Sequence, residues 1–245
     1  MMRTLLKIRM FWPALLLAAM FLLPGEMKGQ TDIERFHTAM RSLKGLQRYG
    51  YKVHLSGVMP DGSYDAVELT MYMDKHRKQV AYTDKANIVI INTRHIMHID
   101  HNAKVFKIFD RKAYENKYNG QFNTIKGLFR DDDFNRVIDS LFLKTKHVQL
   151  SRDKSGHTQF GMTTIRDDMK MQLEFRYDEQ RKLPVSMDMT LGSAGRSDRF
   201  VYTYKVSDYV YDFDDSVFDT RAYFTYTNNT YTVLKYRHYK LISGL

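Results

Sequence analysis

The apolar positions change period along the chain. Ile33, Phe36, Met40 and Leu43 recur at helical spacing, Thr31 and Glu34 form a Thr-x-x-Glu capping box, and Gly45 and Gly50 bracket the end; the pattern predicts a helix over 31–46. The period then drops to two. Val53 and Leu55 alternate with Lys52, His54 and Ser56. Pro60-Asp61-Gly62-Ser63 is a turn signal. Val67, Leu69, Met71 and Met73 alternate with Glu68, Thr70 and Asp74, as in a strand with one buried face. Further strands are predicted over 77–83, 87–92 (with Ile88 and Ile90), 94–99 and 104–109 (with Phe106 and Ile108), and Asp100-His101-Asn102-Ala103 supplies a hairpin turn.

The middle of the chain differs. Residues 111–129 mix polar and aromatic residues, and Asp131-Asp132-Asp133 then opens a stretch with Phe134, Val137, Ile138, Leu141 and Phe142 on one helical face. The region 122–143, including Phe122, Leu128 and Phe129, reads as one or two short helices covering a sheet. Alternation returns in three strands. One carries Met169, Met171, Leu173, Phe175 and Tyr177, the next Val185, Met187, Met189 and Leu191, and the third Phe200, Tyr202, Tyr204 and Val206. Turns are expected at Asp178–Arg181 and Gly192–Gly195, and one or two aromatic strands at 223–242 around Asn228-Asn229. The expected class is α+β, mainly β. One antiparallel sheet with a dry concave face, an N-terminal helix and a helical cover would form a single domain over 30–245, since no linker or repeat interrupts it.

Composition adds location. Arg3, Lys7 and Arg9 precede the apolar run 10–23, and Pro24, Gly25 and Gly29 follow it, which are the zones of a secretory signal peptide over 1–29. The run is shorter than the ~20 residues that span a bilayer, although a retained anchor is the alternative. The expected location is therefore periplasmic or secreted. With no cysteine there is no disulfide framework, thiolate metal site, cysteine nucleophile or lipidated cysteine. The net charge of +10 becomes +7 without Arg3, Lys7, Arg9, Lys28 and Glu26. The basic residues are dispersed among strand positions, so an anionic membrane surface fits them better than nucleic acid.

Two stretches resemble the LolA family of periplasmic lipoprotein carriers. In the first, the strand ELTMYMD (68–74) is followed by KQVAYTDKANIVIINTRHIMHIDHNAKVFKI (78–108). The second, residues 173–218, has a closing meander, a Tyr/Phe strand and a D-x-x-x-F ending at Asp214 and Phe218. The resemblance covers about 30–226 and is one of pattern. It implies an incomplete β barrel whose helices form a lid over an apolar cavity that takes lipoprotein acyl chains. Each buried methylene is worth ~0.8 kcal/mol, so such a chain needs a shielded path through water, and flexible methionines suit a lining that must repack.

On that reading the cavity candidates are Val53, Leu55, Leu69, Met71, Met73, Ile88, Ile90, Phe106, Ile108, Met169, Met171, Leu173, Met187, Met189, Phe200 and Tyr202, and the lid candidates are Phe122, Leu128, Phe129, Phe134, Ile138 and Leu141. For any single one of them packed core is the favoured alternative. The family's lid-latching arginine sits in a Lys-Arg-Pro turn. The matching turn here, Asp74-Lys75-His76-Arg77, lacks the proline and offers Lys75, His76 or Arg77. The tail beyond Thr227 has no counterpart in the family pattern.

Other chemistry is less well supported. His95, His98 and His101 are three apart, a metal-like spacing on a helix, but their apolar neighbours indicate a hairpin, where His95 and His98 face opposite ways. Asp131-Asp132-Asp133 reads as helix capping rather than a calcium loop, and the pairs Asp167-Asp168 and Asp214-Asp215 as solvated turns. No Gly-x-Ser-x-Gly, phosphate loop or His-Glu-x-x-His motif is present, and no nucleophile–base pair can be argued from spacing. The expectation is a non-enzymatic carrier without cofactor or metal, whose partners are lipid or lipoprotein acyl chains. The alternatives are an envelope protein-docking or stress-sensing module of the same fold, and an envelope glycolipid hydrolase.

Overall fold

The computed structural model describes residues 30–58, 61–117, 147–166, 169–193 and 201–244. The expected signal peptide, the 122–143 lid with its six candidates, and Asp131–Asp133 lie outside the described residues. The described chain is mainly β with two helices, and it falls into two compact units. The first comprises residues up to 46, 55–66 and 147–206; the second comprises 47–54, 67–117 and 207–244. Strands β1 (Arg48–Val58), β2 (Tyr64–Asp74) and β11 (Val201–Val210) each contribute to both.

In the first unit the strands are β7 (Gln149–Arg152), β8 (Thr158–Arg166), β9 (Met169–Asp178), β10 (Leu183–Ser193) and the start of β11, hydrogen-bonded antiparallel in the order β11-β10-β9-β8-β7. The predicted alternation of β9 holds: Met171, Leu173, Phe175 and Tyr177 are buried, while Gln172 and Glu174 are exposed. β7 and β8 lack that clean alternation, and no strand was expected there. Helix α1 (Gln30–Gly45) buries Phe36, Ala39, Met40 and Leu43, spaced to form one stripe, against Phe160, Met162 and the apolar row of β9. The helix begins one residue before Thr31, the expected cap, and the Thr31 side chain is not among those described. Arg35 grips Glu179 in the β9–β10 turn with two hydrogen bonds of 2.8 and 2.9 Å.

In the second unit the order is β14-β6-β5-β4-β3-β2-β1, with β3 (Gln79–Asp84), β4 (Asn87–Ile91), β5 (His95–Asp100), β6 (Val105–Asp110) and β14 (Lys240–Ser243). β2 to β6 form an antiparallel meander. β14 departs from the all-antiparallel expectation, because it lies parallel to β6, pairing Lys240 with Val105 and Leu241 with Phe106. A parallel neighbour needs a long crossover, and the long C-terminal connection provides it. That connection contains a 3-10 turn (Asp215–Phe218) and a hairpin of β12 (Phe224–Thr227) and β13 (Thr230–Val233). Asn228 and Asn229, at φ 51° and 59°, make the hairpin turn that its strand twist requires. Helix α2 (Arg111–Lys117), which was not expected, is capped by Asp110 and tied down by the buried Arg111, which donates to the carbonyls of Lys78 and Asn92.

The turns explain many of the acids. Asp61, Asp74, Asp84, Asn92, Asp100, Asp153 and Asp178 each accept a backbone N–H two to four residues ahead, the Asx geometry that opens a turn. These groups build the meander.

Candidate functional site

Cross-strand register decides which candidates share a face. Tyr72, Ala81, Ile90, Met97 and Ile108 are successive partners across β2 to β6, as are Thr70, Thr83, Ile88, Ile99 and Phe106. The opposite face carries the rows Met71–Tyr82–Val89–His98–Lys107 and Met73–Val80–Ile91–Ile96–Phe109. Leu69, Met71 and Met73 therefore lie on one face, and Ile88, Ile90, Phe106 and Ile108 on the other. The single-cavity grouping is corrected here. β4 to β6 are apolar on both faces, so alternation within a strand leaves open which set joins the methionines; register makes that choice.

The Ile88/Ile90/Phe106/Ile108 face is filled by the chain's own C-terminal segment. Phe218 and Phe224, each 3% exposed, join Ile90, Met97, Ile99, Phe106 and Ile108 in one cluster, flanked by Phe213, Tyr223, Tyr231, Tyr236 and Tyr239. His95 meets Phe224 and Tyr231 edge-on at 5.1 and 6.0 Å, and His101 shares a 3.0 Å hydrogen bond with the Tyr239 hydroxyl. These four candidates are core.

The other face is lined differently. Tyr51 and Tyr49 donate their hydroxyls to the sulfurs of Met71 and Met73, each at 3.2 Å. Tyr49 stacks on Tyr51 at 5.8 Å, and Tyr51 packs on Tyr209 at 5.7 Å. Two-residue periodicity puts the buried Val53 on this face with Tyr51. Gly50 points the other way, under Tyr72: a Cβ there would stand 2.5 Å from the ring. Tyr51, Met71, Tyr82, Val89 and His98 are half-buried. Burial pushes the Tyr51 hydroxyl up to about 12, so it remains a donor. Burial, reinforced by Asp84, also raises Tyr82. His98 is pulled down by burial and then by Lys107, and its Nε2 lies 3.1 Å from Asn87 Oδ1.

In the first unit, Met171 and Leu173 are buried beneath α1, with Met187 and Met189 packed at the margin, so helix and strands close on each other. Tyr202 lies over Gly57, where a Cβ would stand 2.9 Å from its ring. Leu55 is half-buried, and the side chains of Met169 and Phe200 are outside those described.

Of the latch candidates, Arg77 joins an ion cluster. Its guanidinium pairs with Asp215, while its backbone N–H donates to Asp74 at 2.8 Å. Arg48 pairs with Asp215 at 2.7 Å and Asp74 at 3.1 Å, donates to the Phe213 carbonyl at 2.6 Å and lies 4.3 Å over the Phe213 ring. Hydrogen bonds from Arg48 and Arg77 hold the Asp215 carboxyl below the usual range. Arg77 thus latches the C-terminal segment among the described residues. Lys75 Nζ lies 5.8 Å over Tyr49, and His76 is exposed. Asp215, expected to be merely solvated, is the centre of this cluster. No local pattern marks it, since Arg48 and Asp215 are brought together from distant parts of the chain.

His95 and His101 face the C-terminal segment and His98 faces away, and no group of three metal-ligating residues occurs among the described residues. A shallow cleft of about 350 Å³ is lined by Gln79, Asn92, Arg94, Asp215, Asp219 and Arg221 among others, too polar for hydrocarbon. No described helix is long and apolar enough to cross a membrane.

No family model matches the chain, and no curated protein matches it. Among solved structures the chain is similar, at 7% identity, to an uncharacterized conserved protein from Thermus thermophilus, over 89% of this chain and 100% of that one, with a TM-score of 0.35. It is 9% identical to a LolA superfamily protein from Nitrosomonas europaea, over 75% and 97% of the two chains, at TM-score 0.30. A DUF1329 family protein from Desulfovibrio piger is 8% identical, over 80% and 99%, at TM-score 0.30.

Proposed function

We propose that this chain is a non-enzymatic periplasmic carrier of lipid or lipoprotein acyl chains, and that the chains lie against the Tyr51/Met71/Met73 face. The observation that carries this is the division of labour between the two faces of β2 to β6. One is sealed by Phe218, Phe224 and their neighbours. The other presents the half-buried Tyr49, Tyr51 and Met71 beside the buried Met73, with a tyrosine hydroxyl on each sulfur. Such a surface combines a large apolar area with side chains that repack at small cost, which a mobile acyl chain requires. The pattern resemblance of 68–108 and 173–218 to lipoprotein carriers agrees with it.

The test is native mass spectrometry of the protein recovered from its own cell envelope, with organic extraction of bound material. The expected result is a bound acyl lipid or lipoprotein that Met71→Asp displaces. A clean apo mass, unchanged after incubation with acyl lipids, would overturn the carrier reading.

The protein-docking alternative is favoured by one feature. Among the described residues β14 is the end strand of its sheet, which would offer its outer edge to a partner strand. A stoichiometric protein partner in a pulldown, lost on placing proline in β14, would select that reading.

A further inference from the structure

The C-terminal stretch from Thr220 to Leu245 contains no Asp or Glu and has four Lys or Arg, although acids and bases are mixed in the rest of the chain. Its inner side is anchored. Phe224 is buried, Tyr236 and Tyr239 pack on His101, and Lys240 N–H donates to the Lys104 carbonyl at 2.9 Å as β14 joins β6. Its outer side is a mixed surface. Lys235, Arg237, His238 and Lys240 are exposed, as is Lys104 in the adjoining turn. Among them Leu234, Leu241 and Ile242 are 37–38% exposed.

We propose that this outer side, residues 234–242 with Lys104, docks on an anionic phospholipid membrane surface. The distribution of charge supports it. Arg221 is paired with Asp219 at 2.7 Å, whereas Lys235 rests over the Tyr223 ring and Arg237 donates to the Leu234 carbonyl, so the cations without a carboxylate partner among the described residues concentrate at 235–240 and Lys104. Lys107, beside Ile242 on β6, is half-buried and lies within the field of Asp100, so the two charges offset each other next to the patch.

The apolar members decide between polyanions. A duplex rewards cations but offers nothing to exposed Leu and Ile. A lipid interface takes both, with aliphatic tips below the headgroups and ammonium groups among the phosphates. The anchored strand keeps the surface ordered before docking, so little ordering entropy is lost on contact. In register with β6, Lys240 and Ile242 fall on the sheet face that carries Lys107, and Leu241 on the Phe106 face, so the docking surface is the β14 edge of the sheet, separated from Met71 on β2 by β6, β5, β4 and β3.

Vesicle co-sedimentation tests the proposal on the protein as the cell processes it. Vesicles of equal phosphatidylglycerol and phosphatidylcholine are compared with pure phosphatidylcholine. Each basic residue near an anionic leaflet contributes about fivefold, so Lys235→Gln/Arg237→Gln/Lys240→Gln should weaken partitioning by about 100-fold. Leu241→Ser/Ile242→Ser should weaken it by about tenfold with the charge intact. Wild-type binding should also collapse between about 0.1 and about 1 M salt, a readout that needs no variant. The proposal is overturned if the charge variant partitions like wild type or if neutral vesicles bind equally well. Binding a DNA duplex as tightly as the anionic vesicles would make the surface a general polyanion site and overturn it. So would binding to no vesicle, which would leave a protein partner.

Discussion

The fully buried Phe106 gives the sharpest test of the two-faced sheet. Its ring lies at 0% exposure in the cluster that the C-terminal segment closes. A buried phenylalanine removes roughly 200 Å² from water, which at ~25 cal/mol per Å² is about 5 kcal/mol as an upper figure. Large-to-small core changes of this kind cost about 3–5 kcal/mol, according to how far the site collapses. β14 pairs at Phe106 through Leu241 and is the end strand among the described residues, so partial collapse and a loss of about 4 kcal/mol are expected for Phe106→Ala. With a urea m-value of about 2 kcal/mol/M, the midpoint should fall by about 2 M at unchanged m. Met71→Ala on the half-buried opposite face should cost only about 1 kcal/mol. Urea titrations followed by far-ultraviolet circular dichroism measure both. A Phe106→Ala shift below about 0.5 M would mean that water already reaches the ring. The C-terminal segment would then not seal that face, and the assignment of Ile88, Ile90, Phe106 and Ile108 to core would be wrong.

Gly50→Ala should destabilise by about 1–3 kcal/mol, because its Cβ would press on the Tyr72 ring, itself packed on Phe213 at 5.0 Å. Tyr72→Ala in the same chain should reduce that penalty, and a purely additive double variant in thermal melts would refute the clash. A second expectation concerns pH. Burial and Lys107 lower the folded-state pKa of His98 below its unfolded value of ~6.5. The contribution is therefore complete above about 6.5 and declines as pH falls toward the folded value, since the unfolded chain then binds the extra proton. Stability should drop between about pH 7 and 5, and His98→Gln should flatten that slope. His95, also lowered mainly by burial, adds to the slope in the same direction. An unchanged slope in His98→Gln would contradict this account.

Much of the local structure was legible in the residues. The α1 stripe, the alternation of β9, the Asx turns at Asp61, Asp100 and Asp178, and the Asn228-Asn229 hairpin follow from side-chain period and turn chemistry acting over a few residues. These are short-range preferences, so one chain suffices to read them. The strands β7 and β8 were not legible, because polar residues interrupt their alternation, and neither was α2, which depends on Arg111 reaching two distant carbonyls.

What tertiary structure alone decided is the partnership of faces. Each of β4, β5 and β6 carries an apolar set on both sides, so only the cross-strand register states that Met71 shares a face with Val89 and not with Ile90. The C-terminal segment claims one of these faces as core, and β14 closes on β6 in parallel. The cluster of Arg48, Asp74, Arg77 and Asp215 likewise exists only after folding, since its members are contributed by β1, the β2–β3 turn and the C-terminal segment. Side-chain period is a property of the individual strand. Register, coverage and ion pairing are properties of how the strands meet, and those are set by burial summed over the whole assembly of strands.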